Sequence, residues 1–486
     1  MTKNHDPETA PSTAEDRPPT LGDEAPPYDA HIDGGARGPV ESLLDETTAL
    51  LPAAAGASSS DSSSSKPALT KLQMVELNAF WFSYQLYWFL VFVVIVPLQV
   101  SQIAGQKGKG RALSVVSLFA GIINLFLAVF VGALNDRASG PRGKRAPYII
   151  GGSIGMAFSL FLLWPSISLG QYVISYALLT ASTVVASVPF NGLIADVTPP
   201  DQKAQVSSIM GGMNLLGYLT GAVVGIFAED MGTVPLYVLT CTTLAVGVYV
   251  TVRRGPKEPQ RNFSQDPLPP IRWAPFLINM VSPLWHHRDF RLVFLSRFLF
   301  QLSIASIQQF MQYWVADCTT SDFSPQRAVS IALLPLFILS PVSAFFMPPS
   351  NRKRTVYVCA LLMTATCALL IQAHTFALAL VASSLFGIGY GPFLSVEVAL
   401  LIDVLPSVAD AGKDMALWHS ALVLPQFTAL PLAGVLRDWG EQWGEGRDEP
   451  VKCAGYKLVF GICILYVLAG SIVTKAINLN RRPSSS

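Results

Sequence analysis

The sequence predicts an all-α membrane protein with about twelve transmembrane helices, arranged as two bundles of six. Only 13% of its 486 residues are charged and 51% are hydrophobic, whereas about a quarter of the residues in soluble domains are charged. The apolar residues are gathered into runs of about 20, the length that crosses a bilayer as a helix. Six runs precede and six follow a polar, proline-rich stretch at 253–289. A net charge of +1 gives no electrostatic basis for binding nucleic acid.

Each apolar run predicts one membrane helix. The runs are too long for transmembrane strands, and they lack the alternation of polar and apolar residues that such strands show. We number the predicted helices 1 to 12 in chain order. They span residues 75–99, 112–134, 147–165, 169–190, 206–228, 232–252, 290–315, 327–348, 355–372, 375–397, 414–436 and 455–475.

The polar segments divide the chain into five predicted parts. Residues 1–71 are rich in Pro, Ser, Asp, Glu and Ala, a composition that cannot bury a core, and they are predicted to form a disordered cytosolic tail. The N-terminal bundle is predicted at 72–252 and the central cytosolic loop at 253–289. The C-terminal bundle is predicted at 290–478, followed by a short tail at 479–486.

Lys and Arg are unevenly distributed between the two sides of the predicted bundle. Basic clusters at 137–145 and 352–354 fall on the same side as both chain ends. Because cytosolic loops carry an excess of Lys and Arg, this distribution predicts that both termini are cytosolic. Lys107, Lys109 and Arg111 fall on the opposite side and are the exception.

A short pattern recurs in the two halves. Leu-Ile-Ala-Asp-Val-Thr-Pro at 193–199 follows predicted helix 4, and Leu-Ile-Asp-Val-Leu-Pro at 401–406 follows predicted helix 10. The shared Asp-Val-x-Pro, at the same point of each half, indicates duplicated six-helix bundles. The alternative is chance agreement over a few positions.

The loop after predicted helix 2 carries a recognisable motif. It reads Gly-Ala-Leu-Asn-Asp-Arg at 132–137, followed by Lys-Arg at 144–145. This pattern resembles the signature loop of the major facilitator superfamily, with a longer spacer than the usual form. Arg-Ala-Pro-Tyr at 145–148, and the segments 294–299 and 308–313, are similar to the sucrose–proton and glycoside–cation symporter branches of that superfamily.

The resemblance covers about residues 72–478 and implies the major facilitator fold. In that family the motif loop latches the two halves together when the cavity is open outward, which implies a conformational role. Its glycine is expected to let two helices approach closely. The alternative is that the basic residues only anchor the loop on the cytosolic side. The predicted conformational gate consists of Gly132, Asp136, Arg137, Arg145, Asp196 and Asp403.

Polar and aromatic side chains lie on one face of several predicted helices. Helices 1 and 7, which are equivalent if the halves are repeats, carry them at spacings of three, four or seven residues. Polar residues inside a membrane usually face the bundle interior or a wet cavity. Uncharged amides, indoles and hydroxyls suit a neutral, hydroxylated substrate. The alternative is hydrogen bonding that holds the bundle together. The candidate substrate-binding residues are Asn78, Trp81, Gln85, Trp88, Asn214, Tyr218, Arg297, Gln301, Gln308, Gln312, Tyr313, His419 and Gln426.

The motif resemblance and the polar faces together predict a secondary active or facilitative transporter that works by alternating access. A sugar or glycoside is the best candidate solute, and amino acids or another small organic metabolite are the alternatives. A non-transporting nutrient sensor on the same fold is the rival function. Proton coupling would need an embedded acid or histidine, for which Glu397 and His419 are the candidates, and a facilitator without ion coupling is the alternative. The sequence contains no metal-ligand spacing or catalytic motif, so no metal, cofactor or enzymatic activity is expected.

Two further features bear on location. The acidic and dileucine positions Glu46, Leu50 and Leu51 resemble a sorting signal, which would bind a sorting adaptor and direct the protein to a vacuole or lysosome. A chance match, with the protein at the plasma membrane, is the alternative. Cys318 and Cys453 fall in loops on the predicted non-cytosolic side, where disulfides persist. Whether they bond depends on a distance that the sequence does not provide.

Overall fold

The computed structural model describes residues 67–138, 143–257, 273–346, 351–405, 411–445 and 453–478. Across these residues the chain is helical, with one isolated bridge between Thr320 and Thr375. We label the membrane helices α1 to α12 in chain order. They are α1 Lys71–Trp88, α2 Val96–Arg137, α3 Ala146–Leu163, α4 Leu169–Val197, α5 Lys203–Ile226, α6 Thr233–Arg253, α7 Arg288–Cys318, α8 Pro325–Phe346, α9 Arg352–Gln372, α10 Phe376–Val404, α11 Ala411–Glu445 and α12 Ala454–Lys475.

The first two membrane passes are joined without a loop. A π-helical segment, Phe89–Ile95, continues α1 into α2, and the turn between the two passes lies within α2. Among the described residues, eleven continuous helices are long and apolar enough to cross a membrane, and the first runs over 65 residues from Lys71 to Asn135. If straight, it would extend about 98 Å, roughly three times the hydrocarbon thickness of a bilayer. Gly105 breaks it with φ 68 and ψ 175, a conformation that favours glycine. This first helix therefore crosses twice, which gives the twelve passes that the sequence predicts.

The two halves of the chain repeat the same helix packing. In the N-terminal half, α1 packs on α5 and α6, and α4 packs on α2 and α3. In the C-terminal half, α7 packs on α11 and α12, and α10 packs on α8 and α9. These contacts correspond helix by helix, so the fold consists of two six-helix bundles.

The halves pack against each other mainly through two helix pairs, α2 with α11 and α5 with α8. Where α2 meets α11, Gly434 lies so close to Gly110 that a Cβ on Gly434 would overlap the Gly110 carbonyl oxygen and the Ser114 hydroxyl. Ser114 Oγ also lies 3.0 Å from the carbonyl oxygen of Leu430, to which it donates. Small residues such as Gly110, Ser114 and Gly434 allow the two helix backbones to approach this closely.

The ends of the helices define two faces of the bundle. We call the face where α1 begins and α12 ends the tail face, and the opposite face, which carries Gly105, the loop face. Cys318 ends α7 and Cys453 caps the start of α12 at the loop face. They form a disulfide with their Cα atoms 5.9 Å apart. The bond that the sequence left open is therefore present, and it ties α7 to α12.

The segment between the halves contains a helix that the sequence did not predict. Trp273–His286, which we call the connector helix, lies within the predicted loop at 253–289. Its 14 residues are too few to cross a bilayer, so apolar length alone does not predict it. The connector helix packs on α7 and α11 and leaves Ile278 and Trp285 exposed.

The close approach of α2 and α11 gives a test of stability. We expect Gly434→Ala to lower the melting temperature of the purified protein, because overpacking a tight contact costs about 1–3 kcal/mol. Gly461→Ala on α12 is the matched control, since a Cβ there would meet no atom within 4 Å. Equal melting temperatures for the two variants would contradict this packing.

Candidate functional site

One wall of the site is formed by α1 and α5. Gln85 Nε2 donates to Asn214 Oδ1 over 2.8 Å, which joins the polar faces predicted on the two helices. Three residues beyond Asn214, a Cβ on Gly217 would overlap the carbonyl oxygen of Phe82, so the glycine lets α5 lie directly against α1. The sequence places both amides on helix faces, and the close packing of the helices brings them together as a pair.

Aromatic rings flank this amide pair along α1. Trp81, one turn before Gln85, meets Phe190 of α4 edge-on, with the ring centres 5.7 Å apart. Trp88, one turn after it, meets Tyr218 of α5 edge-on at 5.7 Å. Tyr218 in turn stacks on Phe337 of α8, with ring centres 5.2 Å apart. The wall is therefore aromatic on both sides of the amides, and the stacked pair connects it to the C-terminal half.

The polar face predicted on α7 is mostly buried. Gln301 and Gln312 are 3% and 2% exposed. Gln312 Nε2 donates to the carbonyl oxygen of Val94, over 3.3 Å, in the N-terminal half. Gln308 is partly buried and, together with Thr366, lines a cavity enclosed by α7, α8, α9 and α10. These amides thus face the interior of the C-terminal half and the first helix of the other half.

Three more candidate binding residues occupy different surroundings. The Tyr313 hydroxyl donates to the carbonyl oxygen of Pro97 over 2.8 Å, which is a contact between the halves. Asn78 is fully buried and its Nδ2 donates to the carbonyl oxygen of Met74, one turn earlier on the same helix. Gln426 is partly buried on α11. Contact with a substrate remains a prediction for each of them.

A buried ion pair joins two of the predicted residues. Arg297 of α7 and Glu397 of α10 are each 4% exposed, and Arg297 Nε lies 3.1 Å from Glu397 Oε1. The guanidinium lies over the indole of Trp418, with Cζ 3.3 Å from the ring centre. His419, the next residue on α11, is exposed. Because an isolated charge is costly in a low-dielectric interior, the carboxylate and the guanidinium stabilise each other only while they remain paired.

At the tail face, equivalent ion pairs lie within each half. Arg145 Nε is 2.7 Å from Asp196 Oδ2, which joins the start of α3 to the end of α4. Arg352 pairs with Asp403, which joins the start of α9 to the end of α10. The two aspartates of the sequence repeat thus have the same structural role. A Cβ on Gly192 would overlap the Arg145 guanidinium, so this glycine makes room for it.

The remaining predicted gate residues lie at the end of α2. Arg145 Nη1 donates to Asn135 Oδ1 over 3.0 Å, which connects the tail-face ion pair to that end. A Cβ on Gly132 would come no closer than 3.8 Å to another side chain, so the close helix approach expected of this glycine is absent in this conformation. Arg137 is partly buried at the last position of α2. The side chain of Asp136 lies outside the described residues.

At the loop face, polar contacts join the two halves to each other. Lys109 Nζ of α2 lies 2.6 Å from Asp317 Oδ2 of α7. At the other helix pair, Arg327 of α8 bonds to Asp230 and donates to the carbonyl oxygen of Ile226 over 2.9 Å. The amide pair and its aromatic rings lie on the tail side of these contacts. The structure is therefore closed at the loop face.

The charged residues that join the halves at the loop face were not predicted from the sequence. In the sequence, Lys109 stands out only as an exception to the predicted distribution of Lys and Arg. Its partner Asp317 lies 208 positions away, and one sequence gives no signal for that pairing. The contacts of Trp418 and Phe190 with predicted site residues were also not predicted, because an aromatic residue in an apolar run is typical of any core.

Some predicted features lie outside the described residues. Glu46, Leu50 and Leu51 are among them, so the sorting signal and its adaptor remain predictions. Among the residues that the structure describes, no group of three or more His, Cys, Asp or Glu is placed to hold a metal ion.

Solved structures share this architecture. The nucleoside transporter NupG matches with a TM-score of 0.63 and 12% identity, covering 83% of this chain and 98% of that one. A bacterial homologue of the human lysosomal transporter Spinster, in an inward-facing and unoccupied conformation, matches with a TM-score of 0.60 and 11% identity. That match covers 85% of this chain and 98% of the homologue. At these identities the likeness concerns the fold.

Comparisons of sequence are more specific. The sucrose transport protein SUC4 of Arabidopsis thaliana is 25% identical over 131 residues, which cover 22% of this chain and 26% of that protein. The match thus spans about a quarter of that relative's length. The model of the family described as MFS/sugar transport protein matches residues 107–413, which is more than half of the chain and includes helices of both bundles. The chain belongs to the MFS/sugar transport protein family.

Proposed function

We propose that the protein carries a small, neutral, hydroxylated solute across its membrane, with a sugar or glycoside the best candidate, and that it couples this movement to protons. The chain is a membrane transporter of the major facilitator type. The observation that carries the substrate proposal is the Gln85–Asn214 amide pair between aromatic rings. The likeness to a protein named for sucrose transport supports a sugar.

The chemistry of the α1–α5 wall suits a sugar. An amide donates from nitrogen and accepts at oxygen, so Gln85 and Asn214 together offer both kinds of partner to hydroxyl groups. Trp81, Trp88 and Tyr218 offer ring faces and edges to the apolar C–H surface of a sugar ring. None of these five side chains is charged, which favours a neutral solute over an amino acid or an organic anion.

We assign proton coupling to Glu397. The carboxyl group is buried, and α10 continues for seven more residues, about 10 Å, before it ends at the tail face. Two further titratable groups face the Arg297–Glu397 pair: Tyr390 on α10 interacts with both members, and His419 on α11 interacts with Arg297. Protonation of Glu397 removes the counter-charge of Arg297, and the buried guanidinium then favours a conformation that gives it water or another partner.

We also propose that the tail face is cytosolic. Arg145 and Arg352 lie at that face, as the excess of basic residues in cytosolic loops requires. The Cys318–Cys453 disulfide lies at the opposite face, which then belongs to a compartment where disulfides persist. The contrary lysines at the loop face are paired with acids, Lys107 with Glu445 and Lys109 with Asp317.

The first test of the proposal is solute uptake by liposomes that contain the purified protein. We expect uptake of at least one sugar from a panel of sugars, amino acids and nucleosides. We also expect Gln85→Leu and Asn214→Leu to reduce it by about tenfold or more, because an unpaired polar partner costs about 1–3 kcal/mol. Gln171→Leu, at an exposed position of α4 near the loop face, is the control and should transport normally. Saturable binding of a sugar with no flux in the wild-type protein would instead identify a sensor.

The second test separates coupling from movement of the solute. We expect Glu397→Gln to abolish uphill accumulation driven by a pH gradient, while exchange of labelled for unlabelled solute continues. A lone Arg297 is costly to bury, so the double variant Arg297→Gln with Glu397→Gln is included to keep the fold. It should behave in the same way.

Glu229→Gln is the control for this second test, since it removes an exposed carboxylate at the loop face. It should retain accumulation. Full pH-driven accumulation by the well-folded double variant would refute the assignment of Glu397.

A further inference from the structure

One carboxylate at the loop face connects four helices. Asp317, at the end of α7, has three partners from three other helices. Lys109 Nζ of α2 lies 2.6 Å from its Oδ2, and Arg437 Nη2 of α11 lies 3.1 Å from the same atom. The Tyr456 hydroxyl of α12 donates to that oxygen as well. None of these residues belongs to the solute site or to the proton site proposed above.

A second carboxylate completes the arrangement. Asp438 of α11 lies 2.9 Å from Arg437 Nη1. It also accepts the backbone N–H groups of Gly110 and Arg111, at 3.2 and 2.7 Å, from the start of the second membrane pass. We call Lys109, Asp317, Arg437, Asp438 and Tyr456 the loop-face cluster. It contains two cations and two anions, so its formal charges cancel.

The loop-face cluster is withdrawn from water. The exposed fractions of the side chains are 2% for Lys109, 5% for Arg437, 0% for Asp438 and 22% for Asp317. Charge pairs in such surroundings interact more strongly than pairs in water, and removing one partner leaves a buried charge that is costly. The neighbouring Lys107–Glu445 pair differs in this respect, because its side chains are 78% and 57% exposed.

The members of the cluster are divided unequally between the halves. Asp317, Arg437, Asp438 and Tyr456 all belong to the C-terminal half. The N-terminal half contributes Lys109, two backbone N–H groups and the carbonyl oxygen of Gln106, which accepts from Arg437 Nη1 over 2.9 Å. The Cys318–Cys453 disulfide lies next to Asp317 on α7 and three residues before Tyr456 on α12. Cys453 has φ 58, a left-handed conformation that is uncommon outside glycine. The disulfide thus fixes the end of α7, which carries Asp317, relative to the start of α12, which carries Tyr456.

We propose that Asp317 is the positioning residue that closes the loop face by binding Lys109, and that the Cys318–Cys453 disulfide holds Asp317 ready to do so. The four cluster members of the C-terminal half stay assembled with one another. The contact with Lys109 is made only when α2 and α11 come together at Gly110 and Gly434. This inference rests on the proposed transport by alternating access. Loss of the contact shifts the population toward the conformation that is open at the loop face.

The test measures opening without any solute. Ser114 is 5% exposed and lies between α2 and α11, so Ser114→Cys becomes reactive when these helices separate. Protein in liposomes is treated with a membrane-impermeant thiol reagent, and the rate of labelling is compared among variants. We expect Lys109→Gln and Asp317→Asn to raise the rate at least about tenfold, and Lys109→Arg to stay near the parent rate.

Lys107→Gln is the matched control, because exposed ion pairs contribute little. It should leave the labelling rate unchanged. The double variant Cys318→Ser with Cys453→Ser should raise the rate in the same direction as Asp317→Asn. Equal rates for Lys109→Gln and Lys107→Gln would overturn the role of the Lys109–Asp317 contact. An unchanged rate in the serine double variant would overturn the role of the disulfide.

The design also separates opening from unfolding and from failure of the proposed function. Cys359, Cys367 and Cys463 are buried, whereas Cys241 is partly exposed, so Cys241→Ser is included in every variant. The same variants without Ser114→Cys should then remain unlabelled unless the protein unfolds. If labelling changes as expected while no solute is transported, the closure device stands and the proposed function fails. If transport is found and labelling does not change, the proposed function stands and the closure device fails.

Discussion

The hydrocarbon interior of a membrane solvates neither charges nor unpaired backbone groups, and the rest of this fold depends on that constraint. It makes the chain helical, and it forces each charged group taken into the bundle to find an opposite charge. Arg297 lies beside Glu397 and Lys109 beside Asp317, although 100 and 208 positions separate the partners along the chain. Such a pair fixes the relative position of two helices. The ion pairs therefore help to determine the helix packing, and the packing in turn keeps the partners together.

The distribution of these pairs determines which parts of the molecule move together. At the tail face, Arg145–Asp196 and Arg352–Asp403 join helices of the same half, and they can persist whichever way the molecule opens. At the loop face, Lys109–Asp317 and Arg327–Asp230 join helices of different halves, and they must break if the loop face is to open. Under the proposed alternating access, the described conformation, with its loop-face pairs intact, is the one that is closed at the loop face.

The sequence was sufficient for the helices and insufficient for the contacts between them. The twelve passes follow from apolar length, which is a local property, and Gly105 shows why even a continuous helix can turn back. The Asp-Val-x-Pro repeat indicated that Asp196 and Asp403 are equivalent, but their basic partners were visible only in the fold. The connector helix was not predicted because its 14 residues are too few to span a membrane. Pairings such as Gln85 with Asn214 depend on which helix faces meet, and periodicity gives the face of one helix without its neighbour.

The helix α7 connects the proposed proton site, the wall of the proposed solute site and the loop-face cluster. It carries Arg297 near the tail face and Asp317 at the loop face, 20 residues or about 30 Å apart along a rigid helix. Between them, Tyr313 bonds to the first membrane pass and lies beneath Lys109, whose Nζ is 4.7 Å from the ring centre. If protons are coupled at Glu397 as proposed, a displacement of α7 that accommodates the neutral carboxyl group would also act on the contacts that close the loop face. Coupling between the two ends of the transporter then needs no chain of small side-chain shifts, because one helix takes part in both ion clusters.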